Sequence, residues 1–355
     1  MDTAELDAVL ASFVGKPVGS GSPTVAPDPV NQPMIRHWAA AFGDGNPVYT
    51  DPEYAAKSRF GTIVAPPLML QTWTFPTPQL VGIAERGGAP TESTGESPLA
   101  VLDRAGFVGT LASNSEYEIH RYLELGETLS VTTVFESISA EKTTRMGVGR
   151  FITWIATYVD DAGEAVAVQR FRIFKFRPLA AAPAAAKAET RADAKADGAT
   201  ADAPETARAE PEPTTAAPAP DGKIAVGAPL PELRVDVTAT LVAAGAIATR
   251  DFMPVHHDRD YAQAHGSPDI FMNILSDTAY CSRYLTDWAG PEAAVKSLAI
   301  RLGVPSFPGS TLVFTGSVTG VEEAGDEYVV AVELRADNNL GPHVTGTATL
   351  TLPRT

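Results

Sequence analysis

Two side chains that can move protons, Asp251 and His256, lie five positions apart in the segment Arg250–Asp258. Pro254 fixes its own φ and disfavours a helical conformation at Met253, so this segment is predicted to be an irregular turn. A carboxylate and an imidazole presented by one turn suit general acid–base catalysis. The alternative is that Asp251 caps a helix and His256 is a surface group, because this spacing alone is not specific.

Composition narrows the functions open to the chain. The 355 residues carry a formal net charge of −16, which disfavours a nucleic-acid partner. Because there is no apolar run of membrane-spanning length and no secretion signal, we expect a cytoplasmic protein with no membrane partner. The single cysteine, Cys281, excludes an intrachain disulfide and is expected in the core. His257 and His265 are expected to be structural or exposed, and no metal site is predicted.

The first half is predicted to be α+β. Apolar spacing indicates a helix over 34–42, and the pair Pro66 and Pro67 is expected to begin a long central helix. Residues 74–114 are rich in Pro, Gly, Thr and Ser and predict a long, partly ordered insertion. Alternating β-branched and aromatic residues over 115–177 predict an antiparallel sheet.

Residues 179–221 contain mostly Ala, Pro, Glu, Asp, Thr and Lys, which predicts a disordered linker. The expected domains are therefore 1–178 and 223–355, joined by the linker 179–222. The second domain repeats the plan of the first without the insertion, and its helix is expected to have Pro268 at its start.

The two halves are related by an internal duplication. Adding 207 to a first-half number superimposes the turn before each helix: Asp44 on Asp251, Val48 on Val255, Tyr49 on His256, Asp51 on Asp258, Tyr54 on Tyr261 and Ala55 on Ala262. The segments 125–129 and 308–312 match at a different offset. We therefore expect two similarly folded units in one pseudo-symmetric pair.

The turn Gly43-Asp-Gly-Asn-Pro-Val48 and its counterpart with Asp251 and His256 resemble the MaoC-like hot-dog family of (R)-specific enoyl-CoA hydratases. The resemblance covers both halves and implies a double hot-dog, in which each unit wraps an antiparallel sheet around a long central helix. It also implies that Asp251 and His256 are the catalytic pair. The family binds the thioester oxygen with a backbone N–H, and that position falls on Asn273.

The first half departs from the family pattern at two positions. Tyr49 stands where the family has His, and Pro66, which has no N–H to donate, stands at the thioester-binding position. The first half is thus expected to bind and support the substrate through Asp44, Tyr49, Pro66 and Pro67. The second half keeps Asp251 and His256 but has Met253-Pro254 where the family has Asn-Pro, and Asn273 where the family has the thioester-binding glycine.

Within this family, the second half resembles the small catalytic subunit of the heteromeric hydratases of actinobacterial steroid side-chain breakdown. The first half resembles the hot-dog part of the partner subunit, here joined to the second in one chain. The resemblance implies a bulky steroid enoyl-CoA as substrate, with coenzyme A entering only as part of it and no separate cofactor. It also implies a homodimer of double hot-dog chains and a downstream aldolase or thiolase partner. A cysteine-bearing module that follows in the partner subunit has no counterpart here, which weakens the expectation of docking.

Two alternative functions remain open from the sequence. A hot-dog thioesterase would hydrolyse the thioester instead of hydrating the alkene. A non-catalytic acyl-CoA-binding protein would bind the same molecules without turnover, although the presence of both Asp251 and His256 disfavours it. A serine hydrolase is not predicted, because no Gly-x-Ser-x-Gly sequence is present.

Overall fold

The computed structural model describes residues 2–354 except 87, 90, 92–95, 145 and 179–223. The helices are α1 (Thr3–Ala11), α2 (Gln32–Phe42), α3 (Pro47–Thr50), α4 (Pro52–Lys57), α5 (Leu70–Thr74), α6 (Pro98–Arg104), α7 (Ala239–Ala248), α8 (Arg259–Ala264) and α9 (Ile274–Ala289), and a 3-10 turn spans Pro254–His256. The strands are β1 (Thr24–Val25), β2 (Gly109–Ile119), β3 (Ser130–Ile138), β4 (Lys142–Thr144), β5 (Gly147–Val159), β6 (Ala165–Pro178), β7 (Pro229–Asp236), β8 (Ala294–Leu302), β9 (Thr311–Ala324), β10 (Glu327–Asn338) and β11 (Gly341–Pro353). The predicted linker, 179–222, lies outside the described residues, and the domain boundaries stay a prediction.

The strands form one sheet whose order is β1-β3-β5-β6-β2-β8-β11-β10-β9-β7, with β4 paired to β5. The β2–β8 seam divides this order into two sets of five strands that correspond in chain order, so the sheet is pseudo-symmetric about the seam. At the seam β2 and β8 run antiparallel, with Asn114 opposite Arg301 and Glu118 opposite Ser297. Helices lie against this sheet, and the predicted α+β double hot-dog is confirmed.

The duplication extends to individual backbone hydrogen bonds. Asp44 N–H donates to the Ala39 carbonyl at 2.8 Å, and Asp251 N–H donates to the Ala246 carbonyl at 2.9 Å. Three further N–H to carbonyl bonds recur in both units. Tyr49 to Asn46 corresponds to His256 to Met253, and Ala65 to Leu123 corresponds to Met272 to Ser306. The third pair is Gly126 to Val30 and Gly309 to Val237. The turn that carries Asp44 and Tyr49 and the turn that carries Asp251 and His256 therefore share these backbone hydrogen bonds.

In the second unit, the predicted long central helix is α9, with 16 residues. The expectation that Pro268 begins it is wrong. The N–H groups of Phe271 and Met272 instead donate to the carbonyls of Val255 and Ser306, so these residues lie outside the helix. The helix begins only after Asn273, whose side chain accepts a hydrogen bond from Ser276 N–H as an N-cap.

In the first unit, the corresponding helix α5 has only five residues, so the expected long central helix is absent from the described part of this unit. The prolines form a turn ahead of it, in which Met69 N–H donates to the Pro66 carbonyl at 3.1 Å. The helix stops at Phe75, which is extended (φ −61°, ψ 133°) because Pro76 follows it. The insertion after it is more regular than predicted, since it contains α6 and the first residues of β2.

The two units share one hydrophobic core. Phe42 at the end of α2 contacts Tyr280 of α9 edge to face, with ring centroids 5.4 Å apart. Gly245 of α7 allows α7 to approach α9 closely, because a Cβ there would lie 2.5 Å from Ser276 Oγ. The shared core holds the first unit's helices against the turn of the second unit that carries Asp251 and His256.

Candidate active site

The turn that carries Asp251 and His256 begins with an unusual backbone conformation. Arg250 has a φ of 60°, a left-handed value that non-glycine residues seldom adopt, and the corresponding residue in the first unit is Gly43, with a φ of 59°. After this bend, Asp251 Oδ1 accepts a hydrogen bond from Met253 N–H at 3.3 Å. Pro254 then opens the 3-10 turn that ends at His256. The bend therefore directs the Asp251 and His256 side chains to one place.

The Asp251 Oδ2 and His256 Nε2 atoms are 3.5 Å apart. His256 Nδ1 lies 2.7 Å from the Phe271 carbonyl, which can only accept, so this nitrogen carries the hydrogen. The other ring nitrogen, Nε2, faces Asp251, and it can accept a proton when the imidazole is uncharged. A separation of 3.5 Å is long for a direct hydrogen bond and suits two groups that share a third partner.

Burial differs between the two side chains. His256 is 7% exposed and Asp251 is 25% exposed. The imidazole edge also packs against the Phe271 ring, with centroids 5.1 Å apart. The imidazole is thus held in a fixed, dry position, whereas the carboxylate remains open on one side to a small molecule.

Asn273 has a side-chain role that the sequence did not indicate. Its Nδ2 donates to Asp251 Oδ2 at 3.0 Å and to Thr249 Oγ1 at 2.9 Å. Its Oδ1 accepts from Ser276 N–H at 2.9 Å. One buried amide therefore fixes the carboxylate and caps α9 at the same time. Neither contact has a local sequence signal, since Asp251 and Asn273 are 22 residues apart.

The predicted role of Asn273 concerned its backbone N–H. In the described part of the chain this N–H has no hydrogen-bond acceptor. It stands at the N-terminus of α9, where the helix dipole and the free N–H groups favour negative charge. The structure thus brings Asp251, His256 and the Asn273 N–H to one helix end.

The first unit contacts this turn directly. Arg250 donates from Nη1 to the Thr72 carbonyl at 3.1 Å and from Nη2 to the Pro76 carbonyl at 3.3 Å. Gly88 of the insertion packs on Met253, because a Cβ at Gly88 would lie 2.6 Å from Met253 Cγ. Residues around the end of the shortened helix α5 therefore form one wall beside the turn.

The other predicted site residues lie in the first unit's own copy of the turn. Asp44 is buried, and burial raises its pKa to about 6. The Tyr49 side chain is fully buried, and its hydroxyl has no partner within the described residues. Pro66 and Pro67 are buried in the turn ahead of α5. These four residues do not lie at the site of Asp251 and His256. They form the pseudo-symmetric counterpart of that site in the first unit.

Three further features of the described residues concern a groove on the sheet, metal ligands and membrane-spanning helices. A groove of about 740 Å³ lies over the β2, β8, β9, β10 and β11 strands and is lined by none of the predicted site residues. Among the described residues, no His, Cys, Asp and Glu side chains gather in a group that could hold a metal ion. No helix in that part of the chain is long and apolar enough to cross a membrane.

Residues 16–169 match the family model described as the FAS1-like dehydratase domain region. A probable enoyl-CoA hydratase alpha subunit from Thermomonospora curvata is 44% identical over 179 residues, which are 50% of this chain and 54% of that protein. The beta subunit of the 3-oxo-4,17-pregnadiene-20-carboxyl-CoA hydratase of Mycobacterium tuberculosis is 50% identical over 127 residues, 36% of this chain and 95% of that protein. The chain belongs to the MaoC-like hot-dog family.

As a member of the MaoC-like family, the chain combines regions similar to both subunit types, as the sequence predicted. It spans about half the length of the alpha subunits that it matches. The structure is similar to a solved MaoC-like dehydratase, with a TM-score of 0.67 at 20% identity; the match covers 98% of this chain and 100% of that chain. It is also similar to a double hot-dog protein of Mycobacterium tuberculosis, with a TM-score of 0.59 at 14% identity; this match covers 96% of this chain and 97% of that chain. These two structures support the fold.

Proposed function

We propose that this protein is an enoyl-CoA hydratase that adds water across the trans-2 double bond of an acyl-CoA thioester, with its chemistry in the second unit. The observation that carries the proposal is the 3.5 Å separation of Asp251 Oδ2 and His256 Nε2 beside the Asn273 N–H, which has no acceptor among the residues that the structure describes. Relatives of both halves are named as hydratase subunits.

The proposed mechanism assigns one water molecule to the space between Asp251 and His256. His256 Nε2, free because Nδ1 donates to the Phe271 carbonyl, takes a proton from that water as it attacks Cβ. The carboxylate orients the water and stabilises the imidazolium, and a proton returns to Cα on the same face. General acid–base assistance of this kind contributes about 10² to 10⁴ in rate.

The thioester carbonyl is placed against the N-terminus of α9. The Asn273 N–H donates to the enolate oxygen while negative charge develops there, and an oriented donor of this type contributes about 10² to 10³ in rate. Neither step requires a metal or a separate cofactor. A cofactor-free reaction and a cytoplasmic location stay predictions.

A bulky acyl group suits the space next to this site. Helix α5 has five residues where α9 has 16, so the first unit lacks about 16 Å of helix at the corresponding place. Relatives of both subunit types act, by name, on a pregnadiene-carboxyl-CoA. We propose that the acyl chain is a fused-ring steroid side chain and that Pro66, Pro67 and the insertion line its cavity.

Turnover assays on a panel of substrates test the proposal. Loss of enoyl absorbance without release of free coenzyme A is expected for a hydratase, whereas release of free thiol would identify a thioesterase. Stoichiometric binding without turnover would identify a binding protein. Steroid enoyl-CoA should be hydrated better than crotonyl-CoA, and the reverse order would contradict the assignment of substrate.

Assembly is a further part of the proposal. Because the two units share one core and one sheet, cleavage within 179–223 should leave both fragments together and active. We expect the chain to pair with a second copy, and a downstream aldolase or thiolase to consume the product. Separation of the cleaved fragments into inactive monomers would contradict the proposed assembly.

A further inference from the structure

A second cavity lies at the seam between the units, on the side of the first unit. It measures about 270 Å³ and is lined by basic and aromatic residues, among them Arg59, His120, Arg121 and Lys296. Glu124 is the one acidic residue in its lining. A concentration of cations is unexpected in a chain with a net charge of −16, and it favours an anionic ligand at this place.

The surrounding contacts hold the cations at fixed positions. Arg121 forms ion pairs with Glu127 and Asp160, and Arg59 pairs with Glu327, all carboxylates outside the cavity lining. Lys296 Nζ instead donates to the His120 carbonyl, a neutral acceptor, at 3.3 Å. The positive charge of Lys296 is therefore the one that a bound anion can pair with most directly.

Two aromatic rings form the apolar part of the lining. Phe60 and Tyr122 are stacked, with ring centroids 5.1 Å apart and an interplanar angle of 16°. Tyr122 is held in place because its hydroxyl accepts a hydrogen bond from Val295 N–H at 2.8 Å. A flat stacked pair next to cations suits a planar heterocycle that carries phosphate groups.

Pseudo-symmetry relates this cavity to the site in the second unit. Val64 N–H donates to the Val48 carbonyl at 3.2 Å, as Phe271 N–H donates to the Val255 carbonyl at 3.4 Å. Val64 lines the cavity, and Phe271 contacts His256. The cavity therefore occupies the position in the first unit that corresponds to the edge of the catalytic site in the second unit.

The lining differs between these two related places. Opposite Val64 lies Glu124, its β-bridge partner, whereas Phe271 packs edge to face on Phe307 at 6.4 Å. The second unit therefore has apolar rings where the first has an open, charged cavity. Behind the cavity, Tyr49 replaces the catalytic histidine, so the first unit has binding groups but no acid–base pair.

We propose that this cavity is a second, non-catalytic binding site for the phosphate-bearing adenosine end of coenzyme A. The choice of coenzyme A rests on the proposed hydratase function, and the chemistry of the lining calls for a nucleotide phosphate in any case. Its volume is below that of typical ligand pockets, so it holds one phosphate group and part of the ring while the rest of the ligand stays outside.

Calorimetric titration of the full chain with adenosine 3′,5′-bisphosphate tests the proposal. Lys296→Glu should weaken binding at one site by about tenfold or more, because a charge-assisted contact becomes a repulsion. Lys16→Glu, a reversal of the same charge at an exposed lysine, should leave binding unchanged. Equal binding by the two variants would overturn the proposal.

Two further comparisons separate the sources of binding. Phe60→Leu should weaken binding of the bisphosphate but not of inorganic phosphate, which would show that the ring is recognised as well as the anion. The Asp251→Asn variant should retain the site, and Lys296→Glu should hydrate enoyl-CoA with an unchanged KM. A raised KM in Lys296→Glu would assign the cavity to the catalytic site's own substrate and overturn a separate site. If the wild type hydrates no enoyl-CoA, the hydratase function fails, and the bisphosphate titration still tests the cavity on its own.

Discussion

Tyr49 and His256 occupy the same position in two copies of one turn: each donates its backbone N–H to the residue three positions earlier, at 3.1 and 3.0 Å. The equal backbone frame means that the two units differ at this point in side-chain chemistry alone. The second unit has an imidazole 3.5 Å from a carboxylate, and the first has a buried phenol. The duplication thus provides an internal control for each test of the site.

The two side-chain roles of Asn273 can be separated by mutation. In Asn273→Ser the hydroxyl can still cap α9, but the hydrogen bond to Asp251 is lost, so kcat should fall about tenfold with little change in stability. In Asn273→Ala both contacts are lost, and the free energy of unfolding should also fall by about 1 kcal/mol. Urea unfolding and steady-state kinetics on both variants check this. Equal kinetics for Asn273→Ser and the wild type would show that the amide does not position Asp251.

The left-handed backbone at Arg250 predicts an unusual ranking of variants. Both Arg250→Gly and Arg250→Ala lose the hydrogen bonds to Thr72 and Pro76, but only glycine adopts a φ of 60° without strain. Arg250→Gly should therefore be more stable than Arg250→Ala by about 1 kcal/mol in urea unfolding. As the matched change in the first unit, Gly43→Ala should be destabilising by a similar amount or more. A more stable Arg250→Ala would contradict the backbone argument.

The buried pair of His343 and Asp277 predicts a pH dependence of stability. His343 Nε2 lies 2.8 Å from Asp277 Oδ1, and its Nδ1 lies 2.6 Å from the Val304 carbonyl. Burial alone would lower the pKa of His343, but Asp277 and the Val304 carbonyl outweigh burial and raise it. A raised pKa in the folded state stabilises the protein fully below the unfolded pKa of about 6.5, and the stabilisation is lost as pH rises through the folded value.

The variant His343→Gln should therefore lose more stability at pH 6 than at pH 9. We expect a loss of about 3 kcal/mol at pH 6, because removal of one partner leaves a buried carboxylate without its charge partner. Urea unfolding at several pH values measures the difference. A loss that grows with pH would show that the pair is not held by a protonated His343.

Much of this architecture could be predicted from the sequence. The duplication, the strands and the closeness of Asp251 and His256 follow from local patterns and from the repeat itself. The short helix α5 differs from the predicted long central helix, because that prediction rests on Pro66 and Pro67 as a helix start and takes no account of Pro76, ahead of which the helix ends. The position of Arg250 had a signal in its alignment with Gly43, which marks a left-handed residue.

The contacts that could not be predicted join residues far apart in the chain. Asn273 reaches Asp251 across 22 residues, and Arg250 reaches Thr72 across 178. A single sequence shows neither pair, because both form only in the folded chain: Asn273 and Asp251 meet within the second unit, and Arg250 and Thr72 meet where the two units share a core. The predicted linker lies outside the described residues, so its role stays a prediction.

The central claim is that catalysis belongs to the second unit, and paired variants across the duplication test it most directly. Asp251→Asn and His256→Ala should each lower kcat by at least about a hundredfold with a modest change in KM, because each removes a proton-handling group and not a binding surface. Asp44→Asn and Tyr49→Phe, the matched changes in the first unit, should keep kcat within about threefold of the wild type. Steady-state hydration kinetics on the four variants, each with a native circular dichroism spectrum, give this comparison. A first-unit variant as inactive as the second-unit variants would contradict the assignment.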